Sequence, residues 1–338
     1  MKKTLYLFGF LVALVVVVFL VVKSKQKDSV SYDKSKLTFT IDDPSIIDRI
    51  YLADKNDNEI ELQKTANGWM VNDKFKARPD AIASILETMK LIRPEQPVSR
   101  SAHDNVIKSM AVQSTKVEAF DENNDLITAY YVGGPTPRQN GTYMYMAGDE
   151  RPYIIQIPGW QGFVTNRYFT NEIDWRDRTV FNVYPDEVEQ ITVDYSFSAE
   201  KSFSIKSDKA DTSFVLLDNE SQIVPNANNK RMKEYASYFT SLSNEVFINN
   251  SPNRDSVLAQ TPFVEVTVIK KSGDERVLKA YYKGVNKRTK LKFDKYGNKV
   301  KIDPDKFYAK IDGEDDFMLI QNFVFGKVFR SVDDFTAR

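Results

Sequence analysis

From Leu5 to Val22 (LYLFGFLVALVVVVFLVV) no position carries a charge, while Lys2, Lys3, Lys23, Lys25 and Lys27 crowd both flanks. At about 1.5 Å rise per residue the run makes a helix roughly 27 Å long, close to the hydrocarbon thickness of a bilayer. A backbone in lipid has to satisfy its own hydrogen bonds, which selects a helix for this segment. A cleaved signal peptide is the rival reading, but its apolar core is about 7–15 residues long and ends in a small-x-small site. Here the nearby candidate site, Val22-Lys23-Ser24, has a lysine in its middle. The pattern therefore predicts a retained transmembrane anchor over residues 1–23, followed by a polar tether over residues 24–36 (SKQKDSVSYDKSK).

From Leu37 the period changes to two. Leu37-Thr38-Phe39-Thr40-Ile41 predicts a strand turned by Asp42-Asp43-Pro44. Ile47, Ile50 and Leu52, then Ile60 and Leu62, then Trp69 and Val71 predict further strands, with turns at Asp54–Asn58 and Asn67-Gly68. Pro79 opens a helix whose Ile82, Ile85, Leu86 and Met89 recur at i, i+3, i+4, i+7, and Pro94 and Pro97 stop it. A short helical patch at Asn105–Met110 precedes strands at Lys116–Phe120, Leu126–Val132, Thr142–Met146 and Tyr153–Ile157. An antiparallel β-meander packed on a helix accommodates all of this.

The same order then returns. Phe181–Pro185 stands for Phe39–Pro44, and Val188, Ile191 and Val193 for Ile47, Ile50 and Leu52. Met232, Tyr235, Ala236 and Phe239 repeat the helix stripe 150 positions on, Val257-Leu258 falls 151 after Val106-Ile107, and Ala280–Gly284 (AYYKG) falls 151 after Ala129–Gly133 (AYYVG). A near-constant offset points to duplication. The expected fold is α+β: an N-terminal transmembrane helix and two tandem homologous α+β domains, residues 37–173 and 174–338. At their junction, Asn171–Arg178 (NEIDWRDR), Trp175 reads either as a clamp between domains or as the cap on one core.

Composition narrows the chemistry. Lysine plus arginine and aspartate plus glutamate each total 47, so no net field steers the chain towards nucleic acid, and none is expected as a partner. With 42% hydrophobic residues, 22 Phe and 17 Tyr, there is ample material for two cores. The absence of cysteine removes any lipid-bearing cysteine, and His103 is the single histidine, too few for a zinc site or a nucleophile–histidine pair. No GxSxG, HExxH, GxxxxGK[ST] or GxGxxG occurs. Asp42-Asp43, Asp121-Glu122, Asp149-Glu150 and Asp312–Asp316 read as turn chemistry, and the last lacks the ligand spacing of an EF-hand loop. Asn140-Gly141-Thr142 matches a glycosylation acceptor in form and a hairpin tip in context. No catalytic residue, cofactor or metal is assigned.

One local excess of charge stands out. Lys279 to Lys301 carries nine basic residues against Asp294, with Tyr281, Tyr282, Phe293 and Tyr296 interleaved. Lys287, Arg288, Lys290 and Lys292 are the candidate contacts for a polyanion such as anionic lipid headgroups or envelope polymers. The alternative is an edge hairpin that lysines keep soluble and unpaired.

Ile47-x-x-Ile50, Asn67-Gly68-Trp69-Met70-Val71 with its following helix, Tyr131-Val132-Gly133 and Trp175-Arg176-Asp177-Arg178 together resemble the domain-of-unknown-function family 4340 (DUF4340) of bacterial membrane-anchored proteins. The resemblance implies an extracytoplasmic partner of ABC-type export and gliding-type transport components, and it carries over no catalytic residue. The expectation is a non-enzymatic accessory module, single-pass in the bacterial inner membrane with its N-terminus inside, bound to transport-complex subunits. The competing classes are an envelope-polymer hydrolase using paired carboxylates and a polyanion or lipid-headgroup binder.

Overall fold

The structure, a computed structural model, describes residues 38–149, 151–208, 213–287, 289–293 and 296–336. The anchor and tether expected over residues 1–23 and 24–36 lie outside the described residues. Among the described residues no helix is long and apolar enough to cross a membrane. The chain divides into two compact units that meet between Trp175 and Arg176, and both are α+β.

Unit 1 is built on one nine-stranded antiparallel sheet. Its elements are β1 (Arg49–Ala53), β2 (Glu59–Thr65), β3 (Gly68–Val71), β4 (Phe75–Lys76), helix α1 (Pro79–Leu91), β5 (Arg93–Pro97), helix α2 (Arg100–Val112), β6 (Thr115–Phe120), β7 (Leu126–Pro135), β8 (Thr142–Met146) and β9 (Tyr153–Gln156). The strand order is β4-β3-β2-β1-β6-β7-β8-β9-β5. Instead of a single meander, two meanders are joined through the central β1–β6 pair, and the α1-β5-α2 segment interrupts them in sequence. Helix α1 forms because its apolar residues recur on one stripe. Ile82, Ile85 and Met89 are buried against the sheet, each burial stabilising by about 1.5–3 kcal/mol.

Three local expectations are corrected here. The described part of the predicted strand at Leu37–Ile41 pairs with no strand. Phe39 and Ile41 are buried, but Ile41 donates its N–H to Met89 O and Thr40 Oγ1 donates to Ile92 O, so the segment closes over the end of α1. Pro94 and Pro97 do end the helix, yet they lie within β5, an edge strand where a missing N–H costs little. The patch at Asn105–Met110 is the middle of a 13-residue helix, α2, whose Val106 and Met110 are buried on the other face of the sheet.

Trp175 belongs to the core of unit 1. Its indole N–H donates to Phe169 O at 2.8 Å, and the two rings approach to 4.1 Å. Deeper in that core the Tyr130 and Tyr168 hydroxyls meet at 3.1 Å, and burial pushes both phenols well above their ordinary range.

Unit 2 contains β10 (Thr179–Phe181), β11 (Val188–Tyr195), β12 (Phe203–Ser207), β13 (Phe214–Asp218), helix α3 (Asn229–Ser237), β14 (Leu242–Ser243), β15 (Val246–Phe247), helix α4 (Arg254–Leu258), β16 (Val264–Lys270), β17 (Glu275–Gly284), β18 (Ile302–Ile311) and β19 (Phe317–Gln321). β10 pairs with β14, and the main sheet runs β13-β12-β11-β16-β17-β18-β19-β15. That is the order β3-β2-β1-β6-β7-β8-β9-β5 of unit 1, strand for strand. Met232, Tyr235, Ala236 and Phe239 are all buried, as the helix stripe predicts, and Tyr235 donates its hydroxyl to Val328 O at 2.8 Å.

The AYYxG match is three residues out of phase with this correspondence. In unit 1 Tyr130, opposite Val117, faces the core, so Ala129 faces the other side of the sheet. In unit 2 it is Ala280, opposite Val264, that faces the core, while Tyr281 packs with Val257 of α4 on the other side. Carried across the sheet from Leu52 and Val193, the register sets Tyr130 where unit 2 has Leu278, so Tyr281 stands in the place of Gly133 and the two AYYxG runs are not equivalent residue by residue.

Candidate functional site

Most carboxylates of the sequence motifs have protein partners. Asp43 accepts the N–H of Ser45, Asp121 those of Asn123 and Asp125, and Asp149 that of Arg151, each across a turn. Asp312 pairs with Lys279 at 2.9 Å and Glu314 with Arg276 at 2.9 Å, while Asp316 takes Arg176 and Asn249. His103 is partly exposed, with Nδ1 3.2 Å from Asp104. Among the described residues no three histidine, aspartate or glutamate side chains converge as metal ligands.

The lysine-rich stretch divides into two parts that sequence alone does not separate. Lys279 and Lys283 lie in β17, an interior strand paired on both sides, so the edge-hairpin alternative does not hold. Lys283 is buried: its ammonium meets Asp303 Oδ2 at 2.7 Å, and Thr289 Oγ1 donates to the same oxygen at 2.9 Å. Lys287, Lys290 and Lys292 are exposed on the connection between β17 and β18, residues 285–301, and Arg288 lies outside the described residues. The candidate contacts therefore share one loop, pinned at its base by a buried ion pair.

Sequence reasoning missed a second feature beside that loop. An open cleft of about 510 Å³ in unit 2 is walled by aromatic rings. Phe263, just before β16, stacks on Tyr282 of β17 at 4.3 Å and 14°. Phe307 of β18 and Phe329 close the wall at 5.1 and 5.6 Å from Phe263. Lys201, Asn322, Arg330 and Asp334 supply a polar rim of both signs. Tyr195 donates its hydroxyl to Arg330 O at 2.9 Å, and burial, with Asp334 nearby, raises its phenol above the ordinary range. Phe197, on the cleft, is 69% exposed and Phe323, next to Asn322, is 94% exposed; Tyr282 presents nearly half its surface.

Among the described residues unit 1 does not repeat this aromatic wall, since the register that sets Tyr130 in the place of Leu278 puts Gly134 in the place of Tyr282. The cleft draws on residues between 195 and 334, too widely spaced for any local motif. The one signal in the sequence was the density of Phe and Tyr after residue 260. Exposed aromatics around a concave, mixed-charge site are suited to capturing an apolar side chain or segment of a partner.

The family model of DUF4340, a domain of unknown function, matches residues 69–262. That is more than half of the chain, and the chain belongs to this family. The match begins at β3 and ends just after α4, so it straddles both units. No curated protein and no solved structure matches the chain.

Proposed function

We propose that this member of the DUF4340 family is a membrane-anchored, extracytoplasmic binding module that serves an ABC-type export complex and takes its partner in the aromatic cleft of unit 2. The observation that carries the reading is the Phe263–Tyr282–Phe307–Phe329 wall, with Phe197 exposed on the cleft and Phe323 exposed next to its lining residue Asn322. Large aromatic side chains left in water on a folded surface are characteristic of contact sites. The apolar run Leu5–Val22 supports the anchor, and the engagement of the turn carboxylates supports a binding role over hydrolysis. The shared strand order of the two units supports descent from one duplicated unit.

The test is co-purification from membranes solubilised in mild detergent. The full chain retains subunits of a membrane transport complex, and the Phe197→Ser/Phe323→Ser variant loses them. Both residues are exposed, so the fold is expected to change by less than about 0.5 kcal/mol. Recovery of the same subunits by the variant contradicts the assignment to the cleft, and recovery of none by the unaltered chain contradicts the partner class.

A further inference from the structure

The loop between β17 and β18 is longer than the fold requires. The corresponding connection in unit 1, between β7 and β8, takes residues 136–141, whereas here it takes residues 285–301. Six residues thus close the turn in one unit and seventeen in the other, on sheets of one strand order. Loops beyond about 12–15 residues in compact domains are usually functional.

This one is also organised. At its base the buried Lys283–Asp303 pair holds Thr289, and Asn286 N donates to Thr289 Oγ1 at 3.0 Å. Further out the arms meet again, where Val300 N donates to Lys292 O at 3.1 Å and Phe293 bridges Lys299. The projecting part alternates cations with apolar side chains, Lys290-Leu291-Lys292-Phe293, and Leu291 and Phe293 are each 55% exposed.

We infer that this loop is an interfacial docking element for a bilayer containing anionic lipid. The lysines complement the headgroup phosphates, and Leu291 and Phe293 enter the boundary between headgroups and acyl chains. A soluble polyanion matches the charge but offers no apolar layer for Leu291 and Phe293, which is why a lipid surface is the better occupant. The inference rests on the anchored reading above, in which residues 24–36, even fully extended, hold the start of unit 1 within about 45 Å of the bilayer. Each lysine at an anionic surface contributes about 1 kcal/mol, roughly fivefold in a docking equilibrium.

The chain has no cysteine, so Leu291→Cys places one environment-sensitive dye on the loop of the full chain. The chain is reconstituted into nanodiscs of phosphatidylcholine alone or with phosphatidylglycerol. Blue-shifted emission and protection from iodide only in the anionic discs, reversed by high salt, support docking. Lys287→Gln/Lys290→Gln/Lys292→Gln shifts the docked–undocked equilibrium by roughly 100-fold. Phe293→Ser weakens docking without removing its salt dependence.

A solvent-exposed dye in both lipids overturns the inference, as does equal protection in both. Protection by soluble polyphosphate or a single-stranded oligonucleotide, at concentrations where anionic discs give none, assigns the loop to a free polyanion instead. Co-elution with the discs reports the anchor independently of the dye. A chain that stays outside them refutes the anchor, and docking is then read from its co-sedimentation with anionic against neutral vesicles, equal sedimentation overturning it.

Discussion

Replacing Asp303 with alanine removes the acceptor that three groups share. Its carboxylate takes Lys283 Nζ at 2.7 Å, Thr289 Oγ1 at 2.9 Å and the N–H of Asp305 at 3.0 Å, and both charged side chains are less than a tenth exposed. Asp303→Ala leaves the Lys283 ammonium buried without its counter-ion, a change that costs about 3–5 kcal/mol. With a urea dependence of about 2 kcal/mol per molar, the unfolding midpoint of unit 2 falls by about 1.5–2.5 M. The three tryptophans, Trp69, Trp160 and Trp175, all report on unit 1, so the transition of unit 2 is the one that far-UV circular dichroism, which sees both units, shows and tryptophan fluorescence does not. Lys283→Met/Asp303→Leu replaces the pair with apolar groups and costs less than Asp303→Ala alone. Burial by itself would raise the Asp303 carboxyl, but Lys283, the Asp305 N–H and Thr289 hold it below the ordinary carboxylate range. A folded pKa below the unfolded one stabilises at pH above the unfolded value, about 3.9, and that stability is lost as pH falls through the folded value. The gap between wild type and Asp303→Asn therefore closes on acidification below about pH 4. A midpoint shift under about 0.5 M for Asp303→Ala, or a double variant as unstable as the sum of its single changes, refutes the reasoning.

Three further outcomes are expected. A Cβ at Gly133 falls 2.8 Å from Met110 Cγ and 3.0 Å from Tyr143 O, so Gly133→Ala destabilises unit 1 by about 1–3 kcal/mol in a tryptophan-monitored urea melt. Tyr168→Phe leaves the buried Tyr130 hydroxyl without its partner and lowers the same transition by about 1–3 kcal/mol, whereas Tyr131→Phe, outside that pair, has a smaller effect. Val112 is 69% exposed, so Val112→Cys supplies an accessible thiol in a chain that has none. A membrane-impermeant maleimide labels it in spheroplasts if the units are extracytoplasmic, and only after lysis if they are not.

The elements were legible wherever a periodic apolar stripe was buried by the element that carries it. Ile82, Ile85 and Met89 announce α1 and Met232, Tyr235 and Ala236 announce α3, and β8 matches Thr142–Met146 to the residue. The segment from Thr38 to Ile41 misled because burial of alternate residues says nothing about where the backbone hydrogen bonds go, and here they go to α1. β5 was hidden because two prolines argue against a strand except at an edge, and edge position is a tertiary fact. The AYYxG match misled because a shift by an odd number of residues exchanges the faces of a sheet, however well the letters agree.

The candidate site was half legible. The basic run showed itself as composition, but its division into a buried pair and an exposed loop depends on Asp303 and Thr289, at separations of 20 and 14 residues from their partners Lys283 and Asp303. The aromatic cleft left no local pattern, because its wall is assembled by cross-strand pairing of Tyr282 with Phe307 and by the C-terminal turns that bring up Phe329.

Site-specific photo-crosslinking in intact cells reads the central claim most directly. A photoreactive phenylalanine analogue at position 323, beside the cleft, is expected to capture a subunit of a membrane transport complex, and the same analogue at position 112 in unit 1 to capture none. Equal capture from both positions, or none from position 323 while the chain remains folded and membrane-bound, contradicts a partner held in the cleft of unit 2.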